Sequence, residues 1–239
     1  ASSGEIKWYN SVTGGTLLAK GSPYQPTISQ SQVYYVAARD LISQNPVSMG
    51  FTGGTIATDP NAAGNMFDIT SLHDVKITGF DIHLNNNLLL APSNISVYYK
   101  AGTYAGFQTN AGAWTLAGSV NGIVSAGNHV ATALPLNLDI DIPAGQTYGF
   151  YICVTNLGVS NSLRYVNSAN SPSEGSVAAS DLNLQVKVGT VVFGPFTGVL
   201  AAPTNRKWNG NVKYSIGCET TRTAVKDRKS TRLNSSHRT

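Results

Sequence analysis

Residues able to do chemistry are sparse in this chain, and none falls into a spacing that defines a reaction. Asp139 and Asp141 come nearest. Two carboxylates at i and i+2 share one face of a strand, about 7 Å apart, a separation within the range of paired glycosidase acids. That face is also simply the polar side of an amphipathic strand, which is the simpler reading. The histidines His73, His83, His129 and His237 are scattered. His73 falls with Asp74 in a turn and His83 at an outward strand position, so solvated or locally hydrogen-bonded roles are expected. There is no GxSxG, no HExxH and no Gly-rich phosphate loop. No catalytic residue, cofactor or resident metal is therefore expected. Asp59, Asp68, Asp74 and Asp81 leave room for a structural calcium ion, although no DxDxDG loop is present. Aromatic rings offer a further chemistry, stacking on sugars: Tyr98, Tyr99, Tyr104, Phe107, Trp114 and Trp208. Alternation buries one of Tyr98 and Tyr99 and leaves the other out. Tyr98, Tyr99, Tyr104 and Phe107 stand as the candidate ligand contacts.

Composition narrows the class. Hydrophobic residues make up 41% of the 239 residues, enough for a core, while charged residues are only 12%, about half the usual share. The 24 glycines and many Ser, Thr and Asn fill the gap, a balance that fits an extracellular all-β module. The net charge of +4 is concentrated at residues 227–239, where Arg228, Lys229, Arg232 and Arg238 face only Asp227. The rest is close to neutral, so the basic pI is no footprint of nucleic-acid binding. No run approaches the ~20 apolar residues of a membrane helix. The chain opens without Met, a basic region or an apolar region, and is read as a piece of a longer protein cut at both ends.

Positioning any such residues falls to strands. Glu5 to Tyr9 and Gln32 to Ala38 read as strands around a Thr13-Gly14-Gly15 turn. Beyond them, strands are expected at Asn65–Thr70, Val75–Leu84, Ile95–Lys100, Trp114–Ser119, Leu134–Ile142, Thr147–Thr155, Leu163–Val166, Leu182–Val188 and Asn209–Tyr214. The apolar parity switches at Gly79, which predicts a β-bulge there. Leu134–Ile142 puts Leu136, Leu138, Ile140 and Ile142 inward, with Asn137, Asp139 and Asp141 outward. Many short strands between turn signals point to a sandwich or jelly roll, and no stretch keeps a helical period.

Two resemblances sharpen this picture. GEIKWYNSVTGG, then QVYYVAA, and much later GCETTRTAV at Gly217–Val225 resemble the second half of a bacterial immunoglobulin-like surface module. The long gap before GCETTRTAV implies a domain inserted in the module's last hairpin, tolerable because loop-closure cost rises slowly with length. The intervening ITGFDIHL, VYYKAGTYAGFQTNAGAWTLAG, IPAGQTYGFYI and KWNGNVKY resemble β-sandwich domains of large secreted proteins from gliding bacteria. Within that likeness Trp114 and Trp208 hold signature positions, which favours packing over ligand contact. Cys218 holds the closing-strand cysteine position, whose partner would lie upstream of residue 1, so no Cys153–Cys218 disulfide is expected. DRKSTRLNSSH, residues 227–237, resembles the in-frame translation of a sequencing-library adapter.

The resulting expectation is an all-β chain, an antiparallel, jelly-roll-like β-sandwich inserted in a partial immunoglobulin-like domain. Residues 1–40 form the partial module, 41–215 the insert, 216–226 the closing strand, and 227–239 a disordered, non-native tail. The function implied is non-catalytic: adhesion, spacing or ligand display on a secreted or cell-surface protein exported by the type IX pathway. Its partner would be a surface polysaccharide or other cell-surface ligand, with no nucleic acid and no membrane span. The alternative is a carbohydrate-binding accessory module of a secreted hydrolase.

Overall fold

The computed structural model describes residues 4–51, 56–57, 62–84, 92–127, 129–157, 162–167, 169, 171–199 and 205–228. Among them the regular elements are strands and one short 3-10 turn, Ala111–Ala113. The chain divides into two compact units, residues 1–42 with 217–239, and residues 43–216.

The first unit is an antiparallel ribbon of β1 (Gly4–Tyr9), β2 (Leu17–Lys20), β3 (Gln32–Ser43) and, following the second unit in sequence, β20 (Thr223–Asp227). β1 lies between β2 and β3, with Trp8 opposite Val36. β20 takes the other edge of β3, with Thr223 opposite Val36 and Asp227 opposite Gln32. The pairing expected between these distant segments is thus present. Thr220 reinforces it: its N–H donates to Ala38 O (2.8 Å) and its hydroxyl accepts from Ala38 N (3.0 Å). Arg222 then closes the hairpin loop, donating to Ser11 O (2.9 Å) and Gly14 O (2.5 Å) with its guanidinium 3.4 Å from the centre of the Tyr9 ring. One boundary is corrected. Asp227 belongs to β20 and not to an unstructured tail, because the ladder with β3 continues to Gln32. Residues 229–239, with Leu233 and His237, lie outside the described residues.

The second unit is the sandwich. One sheet runs β14 (Val177–Ser180), β15 (Leu184–Lys187), β6 (Ala62–Ser71), β12 (Thr147–Val154), β8 (Ser93–Ala101), β9 (Thr115–Ile123), with β16 (Thr190–Phe193) also on β6 and β17 (Gly198–Val199) on β16. Facing it, β7 (Val75–Ile82) pairs with β10 (Thr132–Ala133), β11 (Ile140–Ile142) and β19 (Gly210–Glu219), and β19 with β4 (Val47–Ser48). A small third sheet joins β5 (Ile56–Ala57), β13 (Tyr165–Val166) and β18 (Lys207–Trp208). Val75, Ile77, Phe80, Ile82, Val212 and Ile140 meet Phe67, Ile69, Val97, Phe150 and Ile152 in one core.

The parity switch on β7 has its predicted cause. Lys213 pairs with Gly79 but Tyr214 with Ile77, so one residue is unmatched and the strand's inward side changes. The alternation of 134–142 also survives, with Leu134, Leu138, Ile140 and Ile142 buried and Leu136 half-buried. Only Ile140–Ile142 is a strand, however. Pro135 has no N–H to donate, and the segment touches β7 by isolated bonds, Leu134 N to Phe80 O and Leu138 N to Thr78 O.

Tight strand packing sets one expectation. Gly64 faces Cys153 on β12 and Val192 on β16, and a Cβ there would run into the Ile152 carbonyl. Gly64→Ala should cost about 1–3 kcal/mol. A lower urea midpoint at unchanged slope would show it, and an unchanged midpoint would refute the close approach.

Candidate functional site

Both faces of the β6-β12-β8 sheet are packed. On β12, Phe150, Ile152 and Val154 join the core, while Tyr151 and Cys153 point the other way into a second cluster. That outer cluster gathers Tyr104, Trp114 and Tyr151, with Tyr98 and Phe196 against it. Tyr98 stacks on Tyr151 (6.0 Å between centroids) and meets Phe196 edge-on (5.1 Å). Phe196 also touches Tyr151 at 5.0 Å and Trp114 at 6.0 Å. Its φ of 60° is a left-handed conformation that costs a side chain energy. Phe196 is held there by the rings it enters and by a turn opened by Gly194 (φ 52°). Opposite Tyr98 on β9 stands Leu116, 53% exposed. Leu116, Tyr98 and Phe196 thus meet on the outside of the sheet.

The 103–114 segment that borders this face is anchored by a buried acid. Asp68 accepts from the Thr103 hydroxyl (2.6 Å) and from Tyr104 N (2.9 Å). Burial raises its pKa above the usual carboxylate range, and these two hydrogen bonds oppose the shift. Further along, Trp114 donates its indole N–H to Phe107 O (3.0 Å). Phe107 itself stays 37% exposed, with the Lys100 ammonium 4.1 Å from its ring centre. Lys100 is fixed in turn by Ala101 O and Thr103 O, at 2.8 and 2.7 Å.

The four candidate ligand contacts are therefore not one platform. Tyr98 is half-buried on the outer face. Tyr99 points to the core side, stacked on Tyr148 at 6.3 Å. Tyr104 is corrected from an exposed ring to a buried one, 3% accessible, because its hydroxyl finds the carboxylate of Glu174. Burial and that carboxylate push its pKa well up. Phe107 alone of the four is exposed. Phe196 was missed, since PFTG shows no sign that the ring turns inward. Trp114 and Trp208 are packed, as their signature positions imply.

Among the described residues the candidate ionisable groups do not converge on one cleft. Asp139 and Asp141 both flank Lys76, whose Nζ contacts Asp139 and lies 3.7 Å from Asp141. His83, expected at an outward strand position, is corrected to a fully buried one. Its Nε2 accepts from His129 N (3.1 Å), and Phe51 packs edge-on at 5.7 Å. With Nε2 an acceptor, the neutral ring carries its proton on Nδ1. Burial, and then the positive field of Arg164 and His129, lower its pKa to about 4. His129 is held by Phe51 O (2.8 Å), and His73 lies exposed in its turn. Of the oxygen donors considered for calcium, Asp74 accepts from Ala144 N, and Asp81 engages Lys213 (2.5 Å) and Asn211 (3.0 Å). Asp59 lies outside the described residues. Among these residues no group of three or more His, Cys, Asp or Glu is placed to hold a metal. Cys153 and Cys218 are both free thiols. Burial pushes the Cys153 pKa up to about 12.

Fold and side chains together define an all-β chain of antiparallel sheets. The family model of the Ig-like domain, CHU_C associated, matches residues 1–48. No match is found among curated proteins or among solved structures. Among the described residues no helix is long and apolar enough to cross a membrane.

Proposed function

We propose that this chain is a non-catalytic module of a large secreted or cell-surface bacterial protein, acting in adhesion, spacing or ligand display. The observation that carries the reading is the immunoglobulin-like match over residues 1–48, which contains β1, β2 and β3. On this reading residues 43–216 are a β-sandwich inserted before the module's closing strand. The return of β20 to the edge of β3 supports that. Antibodies against the chain should label intact cells that produce the full-length protein. Labelling only after permeabilisation would defeat the surface role, and turnover of any glycan substrate would defeat the non-catalytic one.

A second reading, a carbohydrate-binding accessory module, is favoured by the outer-face row Leu116, Tyr98 and Phe196 beside exposed Phe107. Retention on cellulose, chitin or xylan tests it. If that row binds sugar, Tyr98→Ala should weaken retention about tenfold, the equivalent of one ring contact of roughly 1.5 kcal/mol. Equal retention of the variant and the natural chain would remove the row from consideration.

A further inference from the structure

Lys76 is only 4% exposed, although it sits on the outward side of β7. Asp141 on β11 is directly across from it on one side, and Ser215 on β19 on the other. Residues so paired bring their Cβ atoms within about 5 Å. Leu138, Ile140 and Ile142 point into the core, so Asp139 and Asp141 project together from the opposite face. The Lys76 amine thereby contacts a carboxylate oxygen of Asp139 and lies 3.7 Å from one of Asp141. The Ser215 hydroxyl beside it is buried and makes no hydrogen bond. An amine, a carboxyl group touching it and a second carboxylate within reach are thus held by the register of two ladders.

We propose that Lys76 and Asp139 become joined by an intramolecular amide bond, with Asp141 moving the protons. The Nζ gives up a proton to Asp141 and attacks Cγ of Asp139, forming the C–N bond. Asp141 returns that proton to the Asp139 oxygen that departs. A second Nζ proton follows by the same route, so the oxygen leaves as water and one N–H remains on the amide. One ammonium and one carboxylate are consumed, net charge is unchanged, and no oxidant or activating group is needed. Condensation of a free amine and a free carboxylate in water runs uphill. Fixed neighbours gain effective molarities of ~10⁵–10⁸ M, which favours the linked form. The Asp139 side chain is 55% exposed, which gives the departing water a way out. The bond would tie β7 covalently to the segment preceding β11.

Intact-mass spectrometry of the full chain decides the matter. The expected mass is lower than that of the sequence by one water. Trypsin should then fail to cut after Lys76, leaving residues 40–100 joined to residues 101–164. Lys76→Arg keeps a cation between the two acids but supplies no amine, and should show the full sequence mass. Asp141→Asn should leave the amine unlinked while circular dichroism reports an unchanged fold. A natural chain of full sequence mass that releases residues 77–100 as a free peptide would overturn the proposal. Loss of water persisting in Lys76→Arg would overturn it too, since the linkage would lie elsewhere. Complete linkage in Asp141→Asn would remove Asp141 from the chemistry.

Discussion

Phe67→Ala is expected to destabilise the 43–216 unit by about 3–5 kcal/mol, the range for deleting a buried aromatic ring. Phe67 is fully buried on β6. Its ring stacks on Trp208 at 4.5 Å with only 8° between planes, meets Phe80 edge-on at 6.3 Å and lies over Phe150 at 6.2 Å. These rings come from three strands and from β18, so removing one opens a cavity that no neighbour can fill by a rotamer change. Urea denaturation followed by far-UV circular dichroism measures the loss, and Trp208 fluorescence reports its immediate surroundings. Phe107→Ala is the internal comparison. That ring is partly exposed and outside both clusters, and its loss should shift stability by no more than about 0.5 kcal/mol. Equal midpoints for the two variants would mean that the four-ring stack is not the centre of the core.

The second large effect is one of pH. An unfolded imidazole titrates at 6.5, while buried His83 titrates at about 4. Between those values the unfolded chain binds a proton that the folded chain does not. The stability that neutral His83 contributes is therefore fully present above pH 6.5 and falls as pH is lowered towards 4. The total is about 3 kcal/mol, from the separation of the two values. Protonation also puts a second N–H where Nε2 now accepts from His129, setting donor against donor. His83→Gln keeps an acceptor for that N–H and cannot titrate. The gap between natural chain and variant should narrow, or change sign, as pH falls from 6.5 to 4. Parallel stability profiles across that window would show that His83 does not set the acid limb.

How far these features could be read in advance depends on the range of the forces involved. The switch at Gly79 and the inward series Leu138, Ile140, Ile142 are local periodicities, and both appear where expected. The β20–β3 ladder was legible through the resemblance of its two motifs, though not through any local signal. Tyr104 and His83 were misplaced for one shared reason. Each is polar and adjacent to a turn or strand end, which reads as exposed. Each is covered by partners far away in sequence, Glu174 and Phe196's cluster for Tyr104, Phe51 and His129 for His83. The partnership of Lys76 with Asp139 and Asp141 is hidden in the same way. Alternation placed both acids outward, but only the register of β7 with β11 brings a lysine between them.

The position of β20 also orders events at the ribosome. β1, β2 and β3 are made before the 43–216 unit, yet the Gln32–Val36 stretch of one edge of β3 stays open until Thr223–Asp227 emerges. Chain growth at about 5–20 residues per second makes that wait roughly 10 to 40 s. Every strand of the 43–216 unit's central sheet has been synthesised before β20 appears. The hairpin loop that Arg222 pins at Ser11 and Gly14 is therefore secured only after residues 43–216 have been made. In that interval the bare edge of β3 is a site where a second nascent copy can add its own strand.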